Sequence, residues 1–200
     1  MVNRKHSAVT TPARLLAGAG LLLMACRLGA VELLESSFEF DGKTYSFRYA
    51  AKLTASQESV FGVITDHEHL HRTNDNIIKS GVLERYSDLQ LKRFIQVDRC
   101  VLSFCFELHF VENVKQTRNR LTASMIADES TFKDGVSEWH VDGEHAGSTI
   151  LTVRASQTLD LWVPPGIGEP ILRRIFHDEL VETLTNVERL AMVETQASLQ

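Results

Sequence analysis

Nowhere in the 200 residues is there an apolar run approaching the roughly 20 residues that a bilayer-spanning helix needs. The main one, Leu15 to Ala25, stops at Cys26 and Arg27, which argues against a transmembrane anchor. There is no dense Lys/Arg stripe with interleaved aromatics, so a nucleic-acid partner is disfavoured. A Gly-x-Ser-x-Gly elbow is missing, as is any recognisable Cys/His motif, and a nucleophilic hydrolase is disfavoured with them. Between Glu35 and Ala191 no repeat, low-complexity tract or interdomain linker interrupts the chain, which therefore reads as one compact unit. Cysteine is scarce, at three residues.

What stands at the start is the layout of a secretory signal: Arg4, Lys5 and Arg14, then the apolar run, then small residues. Residues 1–30 are accordingly expected to be removed, by cleavage after Leu28-Gly29-Ala30, with lipidation of Cys26 as the alternative route. The expected localisation is the bacterial periplasm or envelope. Removal takes away four basic residues and no acidic one, leaving 17 basic against 26 acidic residues and a net charge of −9. Such a domain repels phosphate backbones. The remaining residues, 31–195, suffice for one domain with a real core.

Phe38/Phe40 and Tyr45/Phe47/Tyr49 alternate about Asp41-Gly42, the pattern of two strands and a tight turn. Thr54-Ala55-Ser56-Gln57 fits a capping box, with Val60, Val63 and Ile64 as one helical face. Residues 66–76 are polar and read as a second short helix or a turn. From Ile77 to Leu161 the period is that of six antiparallel strands, broken at Pro164-Pro165. Leu172, Ile175, Phe176, Leu180, Leu184, Val187 and Leu190 then recur at helical spacing, placing a long helix over Glu169–Ala191 with Glu182 on its polar side. The fold class is α+β, a curved antiparallel sheet around a long C-terminal helix, an arrangement that tends to leave a hollow.

Three segments sharpen this. Ala55 to Asp66 forms a helix with a closing aspartate; Phe132-Lys133-Asp134-Gly135-Val136-Ser137-Glu138-Trp139 is a strand carrying glycine and tryptophan; Trp162-Val163-Pro164-Pro165-Gly166-Ile167-Gly168 leads into the terminal helix. In this order they resemble the helix-grip START/SRPBCC superfamily, in particular its polyketide cyclase/dehydrase branch, which also contains coenzyme Q-binding proteins. The resemblance spans about Tyr45 to Ala191. It implies an internal cavity for a hydrophobic small molecule, a lipid or isoprenoid quinone, with the envelope membrane as a second partner. It brings no catalytic residue and no cofactor. Its alternatives are a cyclase/dehydrase-like enzyme on an apolar substrate and a ligand-free assembly protein.

The cavity is expected to be lined by Phe104, Phe106, Leu108 and Phe110 from one strand, by Leu172, Phe176 and Leu180 from the helix, and by Trp139 and Trp162. Glu107, His109, Glu112, Arg93 and Arg99 are the candidates for chemistry, and solvent is the expected surrounding of this polar set. His67, His69 and His71 suggest a metal, but a solvated connecting segment is the preferred reading and no metal site is assigned. Cys100 and Cys105 stand where envelope members of the branch carry paired cysteines. Along a straight strand they would lie about 16 Å apart, so pairing requires a turn at Val101–Phe104; two separate thiols remain the alternative.

Overall fold

The computed structural model describes residues 31–101, 104–144, 147–160 and 168–197, so the leader, Trp162 and the Pro-Pro segment lie outside the described residues. Strands β1 (Glu32–Phe40) and β2 (Thr44–Leu53) form the expected first hairpin. Its turn is held by Asp41, whose carboxylate accepts from the amides of Lys43 and Thr44 at 3.1 and 2.7 Å. Gly42 there has φ +96°, a left-handed conformation that a side chain would strain.

Helix α1 (Gln57–Thr65) begins at Ser56, whose hydroxyl accepts from Ser59 N at 3.1 Å. The box expected at Thr54 is displaced because the Thr54 amide is taken by Glu188 of the terminal helix, at 2.6 Å. A single 3-10 turn, Leu70–Arg72, follows. Then come β3 (Ile77–Ser87), β4 (Gln90–Val101), β5 (Phe104–Gln116), β6 (Arg120–Met125), β7 (Phe132–Gly143) and β8 (Thr149–Leu159), and finally α2 (Glu169–Ala197). The eight strands make one antiparallel sheet in the order β1-β2-β8-β7-β6-β5-β4-β3. These are the six strands and the gripping helix anticipated from the alternation, with α2 continuing beyond Ala191.

Leu180, Leu184, Val187 and Ala191 form the buried stripe of α2 at helical spacing. They pack on Tyr49, Ala51, Leu53, Val141, Leu151 and Val153 of the sheet and on Val60, Val63 and Ile64 of α1. A separate cluster of Phe38, Tyr45 and Phe132, joined by Leu108, Phe110, Leu172 and Phe176, fills the concavity under the start of α2. The Phe176 ring sits 4.4 Å from Tyr45 and 5.1 Å from Phe38. Cys100 and Cys105 face each other directly across the antiparallel strands β4 and β5 and are disulfide-bonded, with Val101 paired to Phe104 beside them. Both are exposed, on the face away from α2. No described helix is long and apolar enough to cross a membrane.

Leu184, with no exposed surface, is the central residue of the helix stripe. Leu184→Ala is expected to lower stability by about 2–5 kcal/mol in urea unfolding. Arg174→Ala, at a side chain 86 % exposed, should stay within about 0.5 kcal/mol of wild type.

Candidate functional site

Alternation along β4 sends Leu91, Arg93, Ile95 and Val97 to the concave face, and along β5 it sends Phe106, Leu108, Phe110, Glu112 and Val114 there. Glu112 is therefore in phase with the aromatic residues, not with the exposed Glu107 and His109, which pair with each other at 3.0 Å. Cross-strand register puts Glu112 opposite Arg93. The expectation that this whole polar set meets solvent holds for Glu107 and His109 and is overturned for Arg93 and Glu112, which are only 5 % and 3 % exposed.

Removing two charges from water is costly unless they meet with good geometry and their remaining groups are bonded. Arg93 Nε and Nη2 both donate to Glu112 Oε2, at 2.8 Å each. A third nitrogen, Nη1, donates to His67 Nδ1 at 3.1 Å. With Nδ1 accepting, the imidazole proton sits on Nε2 and is donated to the Gln116 side-chain amide 2.6 Å away, which must present its oxygen. His67 is 4 % exposed, so the solvated connecting segment preferred from sequence does not describe it. Burial, reinforced by Arg93 and Arg85, pushes its pKa down to about 3, and it is neutral near pH 7. His69 instead bonds Asp66 at 2.8 Å, well separated in role from His67.

Beside this array lies a cavity of about 210 Å³ between the sheet and α2. Its walls are mostly apolar: Ile77, Ile95, Val97, Leu121 and Trp139 from the sheet, Leu180 and Val187 from α2, Ile64 from α1 and Leu70 from the 3-10 turn. Arg93, Thr73, Asn74, Glu179 and Thr183 supply its polar spots. Glu179 also ion-pairs with Arg99, whose buried Nε has no hydrogen-bond partner among the described residues.

Of the residues expected to line a pocket, Trp139 and Leu180 are at this cavity. Leu108, Phe110, Leu172 and Phe176 lie in the aromatic cluster, Phe106 is half-buried on β5, and the Phe104 side chain and Trp162 fall outside the described residues. Ile64, Leu70, Ile77, Ile95 and Val97 were not anticipated as cavity residues, nor His67 as a buried one, and Arg93 and Glu112 were named as candidates for chemistry but expected in solvent. Parity along β5 is the signal that points to Glu112; no comparable local pattern marks His67.

No protein-family sequence model matches the chain, and no curated protein sequence does either. Solved structures do. A START superfamily protein from Mycobacterium smegmatis is similar at TM-score 0.58 and 18 % identity, covering 74 % of this chain and 97 % of its own. The Zhui aromatase/cyclase from Streptomyces sp. R1128 gives 0.62 and 13 %, covering 78 % and 98 %. Human StAR-related lipid transfer protein 5 gives 0.63 and 10 %, covering 83 % and 88 %. The chain has the START-type helix-grip fold.

Two outcomes are expected from the buried array. Because the unfolded His67 protonates below about pH 6.5 and the folded one only near pH 3, its contribution to stability falls with pH across that window. The loss approaches about 1.4 kcal/mol per unit of pH. Urea midpoints between pH 7 and pH 5 should therefore fall less steeply in His67→Gln than in wild type. Glu112→Gln alone should destabilise by about 3–5 kcal/mol, and the double change Arg93→Met with Glu112→Leu by clearly less. Equal losses in the single and double variants would contradict this account of the pair.

Proposed function

We propose that this START-type domain binds a small, mainly apolar and uncharged molecule in the cavity under α2, as its carrier or receptor. The observation that carries the reading is the composition of the cavity wall: nine apolar side chains and two charges that are each already matched, Arg93 by Glu112 and Glu179 by Arg99. An apolar body is favoured by the walls. A free anion gains little from a guanidinium whose charge is matched and whose three nitrogens are bonded, whereas a hydroxyl or carbonyl avoids the cost of desolvating a charge.

Volume narrows the class. At about 210 Å³ the cavity falls below the roughly 300–1,000 Å³ of drug-sized sites. That room suits a single ring system or a short acyl chain and, of a quinone or lipid, only one end. Similarity to a protein named for lipid transfer favours carriage, and similarity to one named aromatase/cyclase favours catalysis. Chemistry tips the balance. Arg93 is the only member of the buried array on the cavity wall, and a guanidinium neither gives nor takes a proton in water; the carboxylate on the wall, Glu179, is held by Arg99, Asn74 and Asn76. Glu112 and His67 stand behind it. We place the domain outside the cytoplasm, in the periplasm or envelope: its leader pattern supports export, and its disulfide suits an oxidising compartment. The envelope membrane is then the nearest source of such molecules.

Titration calorimetry with n-alkanols and n-alkanoates of matched length tests the reading. Alkanol affinity should climb about fourfold per methylene until the cavity is full, then level off, and each alkanoate should bind more weakly than its alkanol. Saturable binding by no member of either series would remove the proposal.

A further inference from the structure

We propose that residues 73–76 form the door of this cavity, latched to α2 by a polar stripe; the inference rests on the ligand-binding reading above. The stripe is Glu179, Glu182, Thr183 and Asn186, spaced i, i+3, i+4 and i+7 and hence on one face of the helix beside its buried apolar stripe. Each of its members bonds the facing segment. Asn74 Nδ2 donates to Glu179 Oε2 at 2.9 Å and to Thr183 Oγ1 at 3.1 Å. Asn76 Nδ2 donates to both Glu179 oxygens, at 3.0 and 2.9 Å. The Asp75 amide donates to Glu182 Oε1 at 3.1 Å, and Asn186 Nδ2 to the Thr73 carbonyl at 3.2 Å. Glu182, expected on the solvent side of the helix, is thus part of a contact.

The other described walls are closed by means that resist local opening. The sheet is a continuous hydrogen-bonded ladder from β2 through β8, β7, β6 and β5 to β4. Toward the helix C-terminus, Leu190 and Ala191 pack with Val60, Val63 and Ile64 in the apolar core. Toward its N-terminus the concavity is filled by the aromatic cluster. Lifting any of these exposes apolar surface or breaks a ladder. Lifting Thr73–Asn76 exposes mainly donors and acceptors, for which water substitutes, so the net loss per bond is small. Thr73 and Asn74 line the cavity directly, so their movement uncovers it. The ends of the segment supply the hinges: Leu70 N donates to Ser80 Oγ at 3.2 Å, and the Asn76 carbonyl accepts from Asp98 N at 3.0 Å, holding that end on β4.

Asn186 and Glu182 serve the latch without lining the cavity, so the double variant Asn186→Ala with Glu182→Ala separates gating from binding. In stopped-flow experiments with 1-aminoanthracene, a neutral apolar fluorophore, the variant should associate and dissociate about tenfold faster than wild type while its Kd stays within about twofold. Arg174→Ala should change neither rate. Native-state hydrogen exchange adds a readout free of ligand: the amides of Asp75 and Ile77 should exchange before those of residues 180–190 in wild type, and faster still in the variant. Saturable probe binding with unchanged rates in the folded variant, or segment amides that exchange only with global unfolding, would overturn the door alone. A wild-type protein that binds no probe would instead overturn the ligand-binding reading, and the door with it.

Discussion

One helix cannot fill the concave face of an eight-stranded sheet, and the rest of this molecule follows from how the unfilled part is handled. The apolar stripe of α2 covers the middle of the face, where Leu184 and Val187 meet Leu53, Val141 and Leu151. At one end the gap is closed with rings, Phe176 inserting among Phe38, Tyr45 and Phe47. At the other the short segment after α1 is laid across the opening, and a cavity remains beneath it. Aromatic side chains fill volume at little entropic loss, whereas a polar segment cannot be pushed further in without orphaning its own donors.

The Arg93–Glu112 pair has to be understood within that constraint. A buried ion pair is weak evidence for stability, since two apolar residues of similar size often serve a core as well or better. Here both charges lie on the inner face at directly paired positions, and the guanidinium is bonded on three nitrogens, with a neutral imidazole and an amide extending the chain of bonds outward. Such a network fixes one guanidinium orientation at the cavity wall. Its directional cost is borne at the place where a fixed hydrogen-bonding surface is useful to a ligand, while the aromatic end is built from ring and aliphatic packing.

The architecture was readable because antiparallel strands and amphipathic helices write their periods directly into the chain: the six strands after Ile77 and the grip helix after Glu169 needed only alternation and 3.6-residue spacing. The site was less readable, for two reasons. Membership of a face was available from parity, and Glu112 lies two residues beyond Phe110 on the same side of β5, but face membership does not say whether a residue meets solvent or a partner. His67 shows the second reason. Its partners are Arg93, 26 positions away, and Gln116, 49 away, so only the assembled sheet reveals why a histidine in a polar connecting stretch is buried. The expected aromatic wall was real, and Phe110 and Phe176 do face the interior, but bulk decided their fate: large rings in a narrow concavity pack on one another.

Division of the concavity also divides its dynamics. Ring contacts of the kind made by Phe176 contribute about 0.5–1.5 kcal/mol each beyond their buried area, and that area is recovered only when the rings are together. Hydrogen bonds of the Thr73–Asn76 segment contribute a net amount of similar size, yet most of it is returned by water when they part. Two ends with comparable contact lists therefore differ in what opening exposes. The aromatic end holds α2 to the sheet, and the proposed opening is assigned to the end where the cavity lies. The disulfide fits the same division: Cys100 and Cys105 sit at the tip of the hairpin whose inner face carries Arg99, the partner of Glu179. By tying β4 to β5 there, the bond keeps the sheet side of the Glu179 contact in place, so that opening is confined to the segment and does not spread into the strands.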